Sequence, residues 1–199
     1  MKSLILFICL PFFCFSQKYK AFDTKTTFFS YAPLENITAS SEDLQGIIDL
    51  NTGEFFFRLP IKSFSFKRAL MQTHFNDKYM ESDKFPNSTF KGKSENLKEQ
   101  IDIILNKKKS KKKESDSIKD QLSEVFNQGI LIEGILNIHG EEKNIKTKVI
   151  IELEEDKIRF LTIFFVDTDD FKIKIPKLLK DNISKKIEVK VSGFLNNLK

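Results

Sequence analysis

From Lys186 to Ser192 the chain reads Lys-Ile-Glu-Val-Lys-Val-Ser, apolar and polar side chains in strict alternation. Successive side chains of a strand point to opposite faces, so this pattern belongs to a strand with one dry and one wet face. Residues 145–153 repeat it, with positions 145, 147, 149, 151 and 153 expected to point inward. Residues 158–166 are apolar on both faces, broken only by Arg159 and Thr162, which suits a central strand. Glu154 to Lys157 is the turn between these two. Upstream, residues 45–50 and 54–60 flank Asn51-Thr52-Gly53, a three-residue hairpin loop with Gly at the left-handed position. Residues 63–66 alternate again, 26–31 read as the first strand, and 130–138 as another closed by His139-Gly140. The final strand is expected to run to Phe194. Many short strands with tight turns predict a mainly β protein, an antiparallel barrel or sandwich with one filled face and one wet face.

Residues 1–16 read as an address rather than as fold. Lys2 supplies a positive charge, residues 4–15 are apolar apart from Pro11, and Ser16 is a small residue at which cleavage would leave Gln17 as the new N-terminus. This is the layout of a secretory signal peptide, too short to span a bilayer. Cys14 is an unusual residue three positions before the cut, but Phe12 and Phe13 just before it speak against a lipid-modified cysteine. The expected location is periplasmic or secreted. Both cysteines, Cys9 and Cys14, lie in this segment, so residues 17–199 carry none. They can form neither a disulfide nor a thiolate metal site. Stability must come from burial, which one domain of this length can supply.

Two stretches carry helical spacing. Residues 68–75, with Leu70, Met71 and Phe75, form a short amphipathic helix. Between 94 and 127, Leu97, Ile101, Ile104 and Leu105 share one helical face, and Ile118, Leu122, Val125 and Phe126 share another. Lys107 to Lys113 holds six lysines in seven residues between them. The expectation is a helix–basic loop–helix insert at about 98–126, either a cap on the fold or disordered. The lysines could press the domain onto an anionic membrane, each adding about 1 kcal/mol near the surface. A solvated loop is favoured over that reading, because like charges in a block repel and resist folding. The net charge of +5 owes much to this run. Elsewhere both signs mix, without the basic stripe a nucleic-acid partner requires.

No standard catalytic arrangement is visible. There is no nucleophile elbow and no Gly-rich phosphate loop. The two histidines, His74 and His139, are isolated, and neither belongs to a metal-binding His pair. A structural role is favoured for both: His139 as a turn residue bonded to backbone, His74 as a helix residue packed at a barrel mouth. No catalytic residue and no metal site is assigned, and the chain is read as non-enzymatic. There are 21 Phe, no Trp and only 7 Gly. Codon bias inflates such a count, yet the rings must go somewhere, and an aromatic-lined cavity is one place.

The segment from Ala69 to Gly92, Ala-Leu-Met-Gln-Thr-His-Phe-Asn-Asp-Lys-Tyr-Met-Glu-Ser-Asp-Lys-Phe-Pro-Asn-Ser-Thr-Phe-Lys-Gly, resembles the signature of the YceI-like family. So do Gly134 to Gly140 with Lys143, and the stretch Phe171 to Leu178 with Asn182-Ile183, which is similar to an exported branch found in Bacteroidetes-type bacteria. The likeness runs over nearly all of 18–194. It implies a lipocalin-like antiparallel β-barrel holding a polyisoprenoid chain, such as a quinone tail, along its axis. Two departures stand out: the lysine-rich insert is foreign to the family pattern, and Asp23-Thr24-Lys25-Thr26 lacks the histidine of the usual opening.

The expected function is therefore a periplasmic binding or carrier protein for an isoprenoid or similar lipid. No cofactor is required beyond such a molecule, for instance an isoprenoid quinone. The pocket candidates are Phe28, Phe55, Phe57, Phe64, Phe66, Leu70, Leu136, Ile138, Val149, Ile151 and Phe165. Two rivals are an envelope interaction or stress-related domain with a solid core, and a lipid hydrolase with a buried carboxylate or serine beside a histidine. A barrel packed full by its own Phe rings would give the same sequence pattern.

Overall fold

The computed structural model describes residues 17–31, 36–106, 129–154, 157–175 and 184–198. Residues 1–16, the lysine run and residues 176–183 lie outside these, as does the second half of the insert. Ten strands make one antiparallel sheet: β1 (Lys18–Ser30), β2 (Ile37–Ser41), β3 (Gln45–Asp49), β4 (Glu54–Pro60), β5 (Ser65–Phe66), β6 (Asn87–Lys93), β7 (Ile130–Ile138), β8 (Glu141–Glu154), β9 (Lys157–Asp167) and β10 (Lys186–Leu198). β10 pairs back onto β1, so the sheet closes on itself. β3 pairs with the first part of β1 and β2 with the last part, so the two occupy one position in the wall. β4 and β5 share the next in the same way. The result is a closed barrel of eight strand positions. Closure removes the sheet edges that an open β-protein must otherwise protect.

One interruption bends the wall. β1 slips register against β10 between Phe22 and Lys25, and Asp23 there adopts φ 47°. Opposite, the chain breaks between β2 and β3. The buried hydroxyl of Thr24 lies 3.1 Å from the Glu42 carbonyl and 3.0 Å from that of Leu44, one donor serving two acceptors at the break. β1 runs through the bulge and begins at Lys18, well before the expected 26–31.

Among the described residues, two helices sit at opposite ends of the barrel. α1 (Ala69–His74) runs into a π-helical turn, Phe75–Tyr79, and lies at the end reached by the last residues of β1, β7 and β9. α2 (Leu97–Asn106) follows β6 at the other end. Its Leu97 and Ile101 are buried among Ile48, Leu50, Phe55, Val149 and Ile151, side chains of the barrel interior and its lower hairpin. The first part of the insert thus plugs the barrel. Hydrogen-bonded pairing of the 45–49 and 54–58 segments confirms the hairpin, with Gly53 at φ 73° in its loop. β2 and β6 are strands that the pattern did not reveal.

Candidate functional site

Strand register sorts the inward side chains into level rows. Thr26, Val191, Thr162 and Val149 face one another across β1, β10, β9 and β8, and Phe28, Val189 and Phe164 make the next row toward α1. Between the rows the barrel encloses a cavity of about 490 Å³. It runs from Ile37, Ile173 and Ile175 at the α1 end, the mouth, down to Leu97 and Leu195 at the α2 end. An eight-stranded barrel is just wide enough to be filled by side chains or to hold one small ligand, and here part of it is open. Among the described residues no Lys, Arg, Asp or Glu lines the cavity. His74 and Tyr79 are the titratable groups in its wall, and burial holds the Tyr79 phenol above its ordinary range, so it stays neutral.

The phenylalanines divide into two groups. Near the mouth, Phe28 stacks on Phe75 at 5.5 Å and 17°, and meets Phe64 and Phe66 edge-on at 5.3 and 5.7 Å. These contacts seat α1 on the wall, for Phe75 closes the set against Phe64 and Phe66. Deeper down, rings lie over glycines. The Phe57 ring fills the space a side chain at Gly46 would take, the Phe55 ring that at Gly92, the Phe90 ring that at Gly134, and Phe160 abuts Gly193. A ring that uses a glycine's empty side-chain space lies along the wall rather than across the lumen. Glycine costs conformational entropy in a strand; its return here is that a Phe-rich barrel stays hollow.

Nine of the eleven expected pocket residues line this cavity: Phe28, Phe55, Phe57, Phe64, Phe66, Leu136, Ile138, Val149 and Ile151. Leu70 and Phe165 do not, and are corrections. Leu70 is 67% exposed on the outer side of α1, whose inward side carries Met71, His74 and Phe75. Phe165 is 52% exposed on the outside of β9, and Phe164 takes the inward place. A one-residue change of parity moves a strand side chain to the other face. Also in the wall, though not among the pocket candidates, are Thr26, Thr162 and Thr168, together with Thr147 from the row expected to point inward.

The two histidines take different places. His139 adopts φ 54° in the β7–β8 turn. Its ring is nearly buried, with Nδ1 3.2 Å from the Phe171 carbonyl, Nε2 2.8 Å from the Glu81 carboxylate, and the Phe85 ring 4.5 Å away. Both nitrogens are thus engaged in tying the turn to the two loops that border the mouth, and no hydroxyl is among their partners. The expected backbone bond is present, and Glu81 is an added partner. His74 faces the cavity from α1, as expected of a mouth residue. Among the described residues no group of three or more His, Cys, Asp or Glu side chains clusters as a metal site would.

A closed antiparallel barrel, plugged at one end and hollow and apolar within, is the architecture of a protein that encloses rather than docks its ligand. The YceI-like domain model matches residues 19–194, and the chain belongs to the YceI-like family. Among solved structures, it is similar to a polyisoprenoid binding domain from Saccharophagus degradans implicated in plant cell wall breakdown. That match has 14% identity and a TM-score of 0.67, covering 92% of this chain and 99% of the other. Burkholderia cenocepacia BcnA matches at 10% identity and a TM-score of 0.62, over 87% of this chain and 96% of that one. Campylobacter jejuni YceI matches at 17% and 0.54, over 85% and 89%. At these identities the likeness speaks for the fold. No curated protein matches the sequence significantly.

Proposed function

We propose that this protein binds and carries a neutral, largely apolar lipid, of isoprenoid or similar type, inside its barrel and performs no chemistry on it. The observation that carries the reading is the hollow itself: about 490 Å³ lined mainly by aliphatic and aromatic side chains, with no Lys, Arg, Asp or Glu among the described residues of its wall. Burying apolar ligand surface there is favourable by about 25 cal/mol per Å², and a preformed cavity avoids the cost of opening one. The structural similarity to a polyisoprenoid binding domain supports the same reading. An isoprenoid quinone is one molecule of the right chemistry. The hydrophobic segment at residues 4–15 supports export to the periplasm or beyond, where such a lipid would need a carrier between membranes.

Native mass spectrometry of protein purified from its own host tests this. A co-purifying apolar mass that organic extraction removes, and that a menaquinone or ubiquinone analogue restores, is the expected result. A clean apo mass that takes up no analogue would instead favour an envelope domain that acts through its surface.

A further inference from the structure

Among the described residues the two most exposed large apolar side chains are Tyr31, at 69%, and Leu70, at 67%. Both stand at the mouth. Tyr31 follows the last residue of β1 and meets Phe29 edge-on at 4.7 Å. Leu70 lies in the first turn of α1. The rim beside them is tied together by backbone. The Ser184 amide donates to the Ser30 hydroxyl, the Thr168 amide to the Lys185 carbonyl, and the Ile173 amide to the Thr168 carbonyl. In Lys172-Ile173-Lys174-Ile175 the isoleucines line the cavity and the lysines are exposed. Single exposed apolar residues are ordinary on a protein surface. Here the two extremes share one end with the opening of an apolar cavity.

Charge at this end is one-sided once the local ion pairs are set aside. Glu81 pairs with His139, Asp83 with Lys62, Glu141 with Lys172, Glu142 with Lys91, Asp169 with Lys185 and Asp170 with Lys143. Asp167 accepts from the Asp169 amide. Among the described residues of this end, Lys67, Lys78, Lys174 and Lys186 are exposed and have no ion pair, and Asp77 is the acid left to oppose them. We infer that the α1 end docks on an anionic lipid bilayer. Leu70 and Tyr31 enter the boundary between headgroups and acyl chains, where an aromatic ring with a polar tip is at home. The four lysines meet the anionic headgroups. The mouth then opens onto the membrane, and a lipid cargo passes between bilayer and barrel without crossing water. The docking itself needs no cargo. It also makes no use of the lysine run at 107–113, which follows α2 in the sequence.

The chain has no tryptophan, so a single one reports its own surroundings. Leu70→Trp, Tyr31→Trp and, on α2 at the other end, Ile103→Trp are each mixed with vesicles of phosphatidylglycerol and phosphatidylcholine carrying brominated acyl chains. Emission from Leu70→Trp and Tyr31→Trp should shift to the blue and be quenched by the bromine, while Ile103→Trp keeps the emission of free protein. Vesicles of phosphatidylcholine alone, or high salt, should abolish the effect. In the Leu70→Trp background, Lys67→Gln and Lys174→Gln should each weaken partitioning about fivefold, the worth of one cation near an anionic surface. Every variant should take up the apolar probe N-phenyl-naphthylamine as the wild type does, so that a lost signal is a lost contact and not a collapsed barrel. Quenching at Ile103 as strong as at Leu70 overturns the docking, as does quenching that ignores both salt and the lysine substitutions. Quenching at none of the three also overturns it and leaves this face to a protein partner. The vesicles hold no quinone, so failure here leaves lipid carriage to its own test.

Discussion

At the scale of single residues, the inward glycines are the least expected determinants of the cavity. Gly46 stands opposite Phe57 in the β3–β4 ladder, and a Cβ there would overlap the Phe57 ring. Gly46→Val should force that ring off the wall. The expected cost is about 1–3 kcal/mol by overpacking, read as a lower urea midpoint, together with a loss of probe binding as the ring enters the lumen. Unchanged probe binding would mean that the ring has somewhere else to go. The same scale shows where sequence reading falls short. Phe165 and Phe164 sit in a run that is apolar on both faces, because Leu161 and Ile163 are buried with Ile150 on the outer side of β8 and β9. With both faces apolar, no alternation marks which side is in. In residues 145–153 the outward positions are largely polar, and the inward row of Ile145, Thr147, Val149 and Ile151 could be read correctly.

At the scale of elements, the strands with a clear period of two were legible and the others were not. β2 reads Ile-Thr-Ala-Ser-Ser and β6 Asn-Ser-Thr-Phe-Lys-Gly-Lys, each with a single large apolar residue and therefore no alternation to read. β6 needs no apolar run, since its inward Gly92 makes room for a ring from β4. In α1 the spacing gave a helix but not its rotation, and one residue along a helix turns by about 100°, enough to exchange Leu70 for Met71. α2 is the converse case. Its apolar spacing was visible, but its role depends on the barrel end that receives it. Ile101 is 1% exposed and Ile103 47%. Ile101→Ala should cost about 2–5 kcal/mol, whereas Ile103→Ala should stay within about 0.5 kcal/mol. Chemical denaturation of the two variants separates a plug from a loosely attached helix, for which both would be near neutral.

At the scale of the whole molecule, folding and loading are linked. A ligand that binds only the closed barrel stabilises it by about 2.7 kcal/mol at a hundred times its dissociation constant. Saturation with a menaquinone analogue should therefore raise Tm by several degrees, with the shift growing with the logarithm of ligand concentration. A Tm insensitive to the analogue would place any binding outside the folded interior. The closed barrel was legible from the sequence because alternation, tight turns and family likeness point the same way. The vacancy inside it was not, since a hollow is a difference between two large volumes, and small changes in ring orientation decide it.

The plug also fixes a length. Because Leu97 forms the bottom of the cavity and α1 marks its top, the barrel has a blind bore of set depth, not an open pipe. A molecule that reaches Leu97 has only the length of the bore for its chain, and anything longer must emerge at the α1 end into water or a membrane. The α2 segment would then act as a stop, a ruler for the length of chain the barrel can hide.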